Sequence, residues 1–136
     1  MWFARARPVD YRRLEPVETT YAARTMRWGG VLIVLYVIYH LLDFTFGRVN
    51  PSFVPGDVYH NVVASLRVWP VAAAYIAAMV ALGLHLYHGT WSALQTLGLN
   101  PPPTGRWRRA AAAGFAVLIA GAYISIPVAV LTGMLR

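Results

Sequence analysis

Residues 82–94, LGLHLYHGTWSAL, place a histidine well inside an apolar stretch of the chain. An imidazole in the bilayer core costs free energy unless it is paired or coordinated, so an ionisable residue there predicts function. Gly89 follows His85 by four residues and shares its face of a helix. Because glycine has no side chain, a flat macrocycle can approach the backbone there. The spacing therefore predicts that His85 is an axial haem ligand.

The composition around this stretch indicates a membrane protein. Of the 136 residues, 58% are hydrophobic and only 12% are charged, which is too apolar for an ordinary soluble domain. All 12 basic residues are arginine, and the net charge is +7. The arginines flank apolar segments and form no basic face, so nucleic-acid binding is disfavoured. Cysteine is absent, which excludes disulfides and thiolate-bound iron–sulfur clusters within this chain.

The apolar pattern predicts an all-α membrane protein with three transmembrane helices that form part of a haem-binding helical bundle. A polar, arginine-rich arm precedes them and has no apolar core of a secretory signal. In the connection after the first span, Val58, Val62 and Leu66 recur at helical spacing and predict a short interfacial helix. The predicted segments are the arm at 1–25 and a membrane domain at 26–136, with spans at about 26–46, 68–97 and 110–135 and the interfacial helix at about 57–66.

The arginine distribution predicts how the chain crosses the membrane. Six arginines lie in the arm or at the very start of the first span, and three lie in the loop at 98–109. Only two lie in the connection at 47–67 and one at the C-terminus. The positive-inside rule then puts the N-terminus in the cytoplasm and the C-terminus outside. We expect a multi-pass protein of the cell inner (cytoplasmic) membrane.

Two histidines lie deep in these spans, at different predicted depths. His40 lies roughly 20 Å along the first helix at about 1.5 Å per residue, and His85 lies past the midpoint of the next helix, which runs the opposite way. One haem sandwiched by both is therefore disfavoured, and each imidazole would serve a separate haem whose second ligand comes from elsewhere. For His40, hydrogen bonding to a neighbouring helix is the alternative.

The remaining polar candidates each have more than one interpretation. His88 is expected to contact a haem propionate or a backbone carbonyl, with iron ligation or packing as alternatives. His60 is expected to be an interfacial polar residue, with a ligand or quinone contact as the alternative. Asp43 either pairs with Arg48 or hydrogen-bonds a quinone and relays its protons. Trp91, Ser92 and Gln95 are candidates for a quinone pocket, against plain interfacial packing.

At these residues the chain resembles the cytochrome b membrane-anchor subunits of succinate dehydrogenase and fumarate reductase, known together as complex II. The segment H85-x-x-x-G89-x-W91 with its continuation SALQTLG is similar to the haem-ligand pattern of these anchors. The segment WGGVLIVLYVIYHLLDF resembles the preceding ligand-bearing helix, with His40 in the ligand position. Weaker similarities are ARPVDY, RTMRWGG and DVYHNVVASLR, and together they cover nearly the whole chain.

The resemblance implies the function of the subunit and its partners. His85 would ligate the proximal, cytoplasmic-side haem b and His40 the distal one, with His88, Gly89 and Arg27 among the cofactor-binding residues. Electrons would pass from an iron–sulfur subunit through haem b to quinone or menaquinone, with FAD and iron–sulfur clusters held only in partner chains. The chain itself would not be an enzyme.

The same resemblance covers only the last three helices of the five-helix, two-haem type. We therefore expect a further membrane chain to supply the missing helices and haem ligands, or the chain to be a shortened form. Two other functions stay open on the sequence. One is a di-haem anchor of a formate dehydrogenase or nitrate reductase, and the other is a haem-free membrane scaffold.

Overall fold

A computed structural model describes residues 21–98 and 106–136. These ranges contain helices and no strand, which confirms the all-α prediction. The helices are α1 (Tyr21–His40), α2 (Val58–Leu66), α3 (Trp69–Thr96) and α4 (Arg106–Leu131), and a short π-helical segment (Leu41–Thr45) extends α1. Residues 1–20 of the predicted arm lie outside the described part, whereas residues 21–25 already belong to α1.

Three helices are long and apolar enough to cross a membrane. They cover Met26–Thr45, Trp69–Thr96 and Arg106–Leu131. The last begins before the predicted 110–135, because the arginines expected in the preceding loop form the first turn of α4. At the end of α3, Gly98 takes a positive φ of 70°, a conformation that glycine adopts without strain and that commonly follows a helix.

Helix α3 lies between the other two spans. It packs against α1 and α4, whose backbones do not approach each other in the described part. A Cβ built on Gly83 would lie 3.0 Å from the Cβ of Ala120, so α4 approaches α3 closely. Ala112, Ala116 and Ala120 recur every fourth residue on α4 and are buried, as expected of a face on which small side chains admit a neighbouring helix.

The faces of α1 and α4 that point away from α3 are apolar. Between residues 28 and 38, helix α1 exposes large side chains, including Trp28 at 71%, Leu35 at 62% and Ile38 at 52%. Helix α4 exposes Val117 and Leu118 at 72% and 70%. Faces of this kind are stable against lipid or against further membrane helices and not against water.

Helix α2 contacts the π-helical segment and the ends of α3 and α4. Its buried residues are Asn61, Val63, Ser65 and Leu66, whereas Val58 is 72% exposed. The structure has a helix where the short interfacial helix was predicted, and Val58, on the predicted apolar face, points away from the other helices. Two polar residues of this helix, Asn61 and Ser65, turn inward to make hydrogen bonds.

One of these inward residues, Asn61, fixes the connection that leads into α2. Its side chain accepts a hydrogen bond from the Val54 N–H at 2.7 Å and donates one to the Val54 carbonyl at 2.8 Å. Asn50 donates to the Asn61 carbonyl at 3.3 Å. Asp57 caps the helix by accepting from the His60 N–H at 2.9 Å, the usual role of Asp at this position.

Candidate functional site

His85 packs against a pair of glycines on α1. A Cβ on Gly29 would lie 3.8 Å from the His85 Nδ1, and one on Gly30 would lie 3.8 Å from its Cε1. The Nδ1 atom is buried and has no hydrogen-bond partner in the described part, and the same is not true of Nε2. Because α1 covers the Nδ1 side of the ring, Nε2 is the nitrogen left for coordination.

The space next to His85 on α3 is open at Gly89. A Cβ built on Gly89 would meet nothing within 4 Å. The glycine predicted to leave room for a flat group therefore borders empty space. Earlier along the same helix, Ala74, Ala77 and Ala78 line a groove of about 350 Å³ against α1.

His40 ends α1 inside a group of aromatic rings. Its ring centroid lies 5.7 Å from that of Tyr36, 5.2 Å from Phe44 and 6.1 Å from Tyr75. Its Nδ1 is also buried without a hydrogen-bond partner in the described part. The two histidines thus share one pattern, in which the inner nitrogen is enclosed and unsatisfied.

The two imidazoles lie at different levels of the bundle. His40 is level with Tyr75, which precedes His85 by ten residues on α3. At 1.5 Å per residue, this separates the two rings by about 15 Å along the helix axis. Nitrogens that far apart cannot be the two axial ligands of one iron.

Asp43 lies on the π-helical segment just after His40 and is completely buried. Its Oδ2 accepts hydrogen bonds from the Ser65 hydroxyl at 2.7 Å and the Tyr75 hydroxyl at 2.9 Å. Its Oδ1 has no partner among the described residues. The alternative in which Asp43 pairs with Arg48 is wrong: Arg48 is exposed, and Asp43 instead joins the π-helical segment to α2 and α3.

The other predicted site residues, His88, Arg27 and His60, lie apart from one another. The His88 Nδ1 lies 2.9 Å from the carbonyl of Leu84 one turn earlier, so it contacts a backbone carbonyl, one of the partners expected for it. Arg27 is exposed on the first turns of the span. His60 is exposed, and its Nε2 lies 3.0 Å from the Ser52 carbonyl in the connection.

The predicted quinone residues do not form one site. Trp91 and Gln95 line a cleft between the end of α3 and the start of α4, together with Arg106, Arg108 and Arg109. Ser92 is exposed and does not line it. Asp43 is level with Tyr75, sixteen residues before Trp91 on α3, which is about 24 Å away along the helix.

Two features of the site were not predicted from the sequence. The π-helical segment has no residue signature, although its last bond, from the Phe46 N–H to the Leu41 carbonyl at 2.9 Å, turns the backbone that carries Asp43. The contact of His85 with Gly29 and Gly30 was also missed. The two glycines signal close helix approach, but the sequence does not say which residue approaches them.

The comparison with known families agrees with this arrangement. A sequence model of the family described as the succinate dehydrogenase/fumarate reductase transmembrane subunit matches residues 4–125. The chain belongs to this family. No curated protein and no solved structure matches the chain.

Membership of the succinate dehydrogenase/fumarate reductase transmembrane subunits confirms the predicted resemblance and makes the chain a membrane subunit of an enzyme complex. The family implies association with the flavoprotein and iron–sulfur subunits of that complex, and it is of the cytochrome b type. The match gives no support to the alternative of a formate dehydrogenase or nitrate reductase anchor.

The donor set of this transmembrane subunit suits a haem better than a bare metal ion. In the described ranges, no group of three or more His, Asp or Glu side chains could hold a metal ion. A haem supplies four of the iron ligands itself, so one imidazole on each face suffices. Both histidines lie within candidate spans, and His85 has open space beside it at Gly89, so the two imidazoles fit an axial role.

Proposed function

We propose that this subunit anchors its complex in the membrane and carries electrons from the iron–sulfur subunit to a quinone through two b haems. His85 and His40 would each supply one axial nitrogen. The observation that supports this most is the pair of imidazoles inside the candidate spans, about 15 Å apart along the axis of α3, with open space at Gly89 beside one of them.

The haem supplies a one-electron carrier when bound, and the chain would control how it is held. The His85 ring is fixed by the Gly29–Gly30 surface of α1, so its Nε2 points to one place. The rings of Tyr36, Phe44 and Tyr75 restrict His40 in the same way. Axial ligation and burial are the means by which a protein sets a haem potential. A further membrane chain would provide the opposite axial ligands.

The quinone would bind at the His40 end. The groove between α1 and α3 is lined by Leu32, Leu35, Tyr36, Tyr39 and Tyr75, which combines apolar walls with hydroxyl groups for the quinone oxygens. Reduction of a quinone to a quinol takes up as many protons as electrons. Asp43 is hydrogen-bonded to Tyr75 and would relay these protons. The arginine-lined cleft at Trp91 and Gln95 suits a neutral quinone less well.

The axial roles are tested by counting haems in the purified complex. We expect His85→Ala to remove one b haem and His40→Ala to remove the other, measured by pyridine haemochrome and reduced-minus-oxidised spectra. His60→Ala, which alters an exposed imidazole of the connection, is the control and should keep both. Added imidazole should restore the lost band in His85→Gly. A wild-type complex without a b-type α band would instead indicate the haem-free scaffold.

The quinone position is tested by steady-state kinetics. Tyr36→Phe and Tyr39→Phe each remove one hydroxyl from the groove and should raise the KM for quinone several-fold without changing haem content. Trp91→Ala and Gln95→Ala should leave that KM unchanged. The opposite pattern would return the quinone to the cleft at the other end of the bundle.

A further inference from the structure

Arg108, in the first turn of α4, is a buried cation that has no partner among residues 21–98 and 106–136. Its side chain is only 6% exposed. Both Nε and Nη1 are buried and lack any hydrogen-bond partner in the described part. Burying an unpaired charge is costly, and proteins normally pair such a group. The site therefore lacks an anion.

The residues around Arg108 form a cleft that suits an anion. It lines a cleft of about 320 Å³ with Trp91, Gln95, Arg106 and Arg109, many times the ~10–15 Å³ needed for one water. The Arg109 guanidinium lies 5.5 Å from the centroid of the Trp91 ring, a cation–π contact that keeps it beside the cleft. The cleft also lies at the N-terminal end of a 26-residue helix, where free N–H groups favour negative charge.

The described residues offer no carboxylate to fill this cleft. They contain two acidic side chains, Asp43 and Asp57. Asp43 is enclosed by Ser65 and Tyr75 at the opposite end of the bundle, and Asp57 caps α2 there. The anion therefore has to come from outside these parts of the chain.

We propose that the cleft binds the phosphate of an anionic phospholipid headgroup. One candidate span ends at Thr96 and the next begins at Arg106, so the cleft lies at headgroup level whichever way the chain crosses the membrane. An arginine fork pairs with phosphate through two parallel hydrogen bonds. Exposed Trp107 marks the same interface, and exposed Val117 and Leu118 on α4 offer apolar surface for acyl chains. The cleft contains none of the residues that carry the proposed haem and quinone roles.

The test is native mass spectrometry of the intact complex in detergent, titrated with phosphatidylglycerol or with phosphatidylcholine of the same acyl chains. Choline carries a positive charge that the arginines repel, so we expect selective retention of phosphatidylglycerol. Arg108→Gln should weaken that retention about tenfold or more, since hydrogen bonds to charged groups are worth about 1.5–3 kcal/mol. Arg108→Lys should retain part of it. Arg67→Gln removes an exposed arginine at the other end and is the matched control.

Three results would overturn the proposal. The first is equal retention of the two lipids by the wild-type complex, which needs no variant and decides the question even if Arg108→Gln fails to assemble. The second is an equal loss of lipid in Arg67→Gln. The third is an Arg108→Gln complex that keeps its phosphatidylglycerol but loses haem, which would assign the cleft to a haem propionate.

Discussion

The hydroxyl of Tyr75 donates a 2.9 Å hydrogen bond to the carboxylate of Asp43, 32 residues earlier in the chain. This bond joins the end of α1 to the start of α3 at the level of His40. Tyr75 is itself 6% exposed, so neither partner can exchange this bond for one to water. Because the Oδ1 of Asp43 already lacks a partner, the carboxylate depends on its two remaining donors.

Tyr75→Phe should therefore destabilise the complex. It removes one of the two donors to a buried carboxylate, at a cost of about 1–3 kcal/mol. Thermal unfolding of the purified complex, followed by circular dichroism, measures the loss as a lower Tm. Tyr59→Phe is the control, because Tyr59 donates only an exposed hydrogen bond to the Arg136 carbonyl. Equal Tm values for Tyr75→Phe and the wild type would show that the carboxylate needs no support from α3.

Substitutions at Gly29 test the contact between α1 and His85. Gly29→Ala should be tolerated, because its Cβ would lie 3.8 Å from Nδ1, an ordinary van der Waals distance. Gly29→Leu should displace α1 or the imidazole and reduce haem content or shift the α band. Gly114→Leu on α4, where a Cβ meets nothing within 4 Å, is the matched control. Normal spectra for Gly29→Leu would mean that α1 does not hold the His85 ring.

Two glycines of the connection should differ in their response to alanine. Gly47 has φ +62°, and a Cβ there would overlap the ring of Phe53. Gly56 has φ +85° but nothing within 4 Å. Gly56→Ala should therefore cost only backbone strain, about 1 kcal/mol, whereas Gly47→Ala adds a steric clash. Chemical denaturation of the two variants gives the comparison, and a larger loss at Gly56 would contradict it.

Asn61→Ala should loosen the connection without disturbing the spans. The substitution leaves the N–H and the carbonyl of Val54 without their side-chain partners. Faster hydrogen exchange and proteolysis at residues 48–57 are the expected results, with haem content unchanged. His60→Ala removes an exposed contact in the same helix and should have a smaller effect. Identical exchange in Asn61→Ala and the wild type would count against this role.

The spans and the two deep histidines could be predicted because each depends on local sequence. A run of apolar residues fixes a membrane helix by its length, and the antiparallel order of consecutive helices puts His40 and His85 at different levels. Those levels are about 15 Å apart in the structure.

Contacts between residues far apart in the sequence could not be predicted. Pairing with Arg48, five residues away, was one of the two alternatives for Asp43, but the π-helical segment turns the carboxylate inward to Ser65 and Tyr75. Arg108 was expected in the loop at 98–109, yet it is buried in a cleft formed jointly by two helices. Such partners depend on helix rotation, which hydropathy alone does not determine.

The central position of α3 has a consequence for biosynthesis. Helix α1 leaves the ribosome before α3, but among the three spans its backbone meets only α3, so it enters the bilayer before its partner exists. Until α3 follows, Asp43 lacks the Tyr75 hydroxyl, and a carboxylate with incomplete hydrogen bonding resists transfer into lipid. Productive insertion should therefore proceed by paired entry of these two segments, and a translational pause before residue 69 would prolong the vulnerable interval.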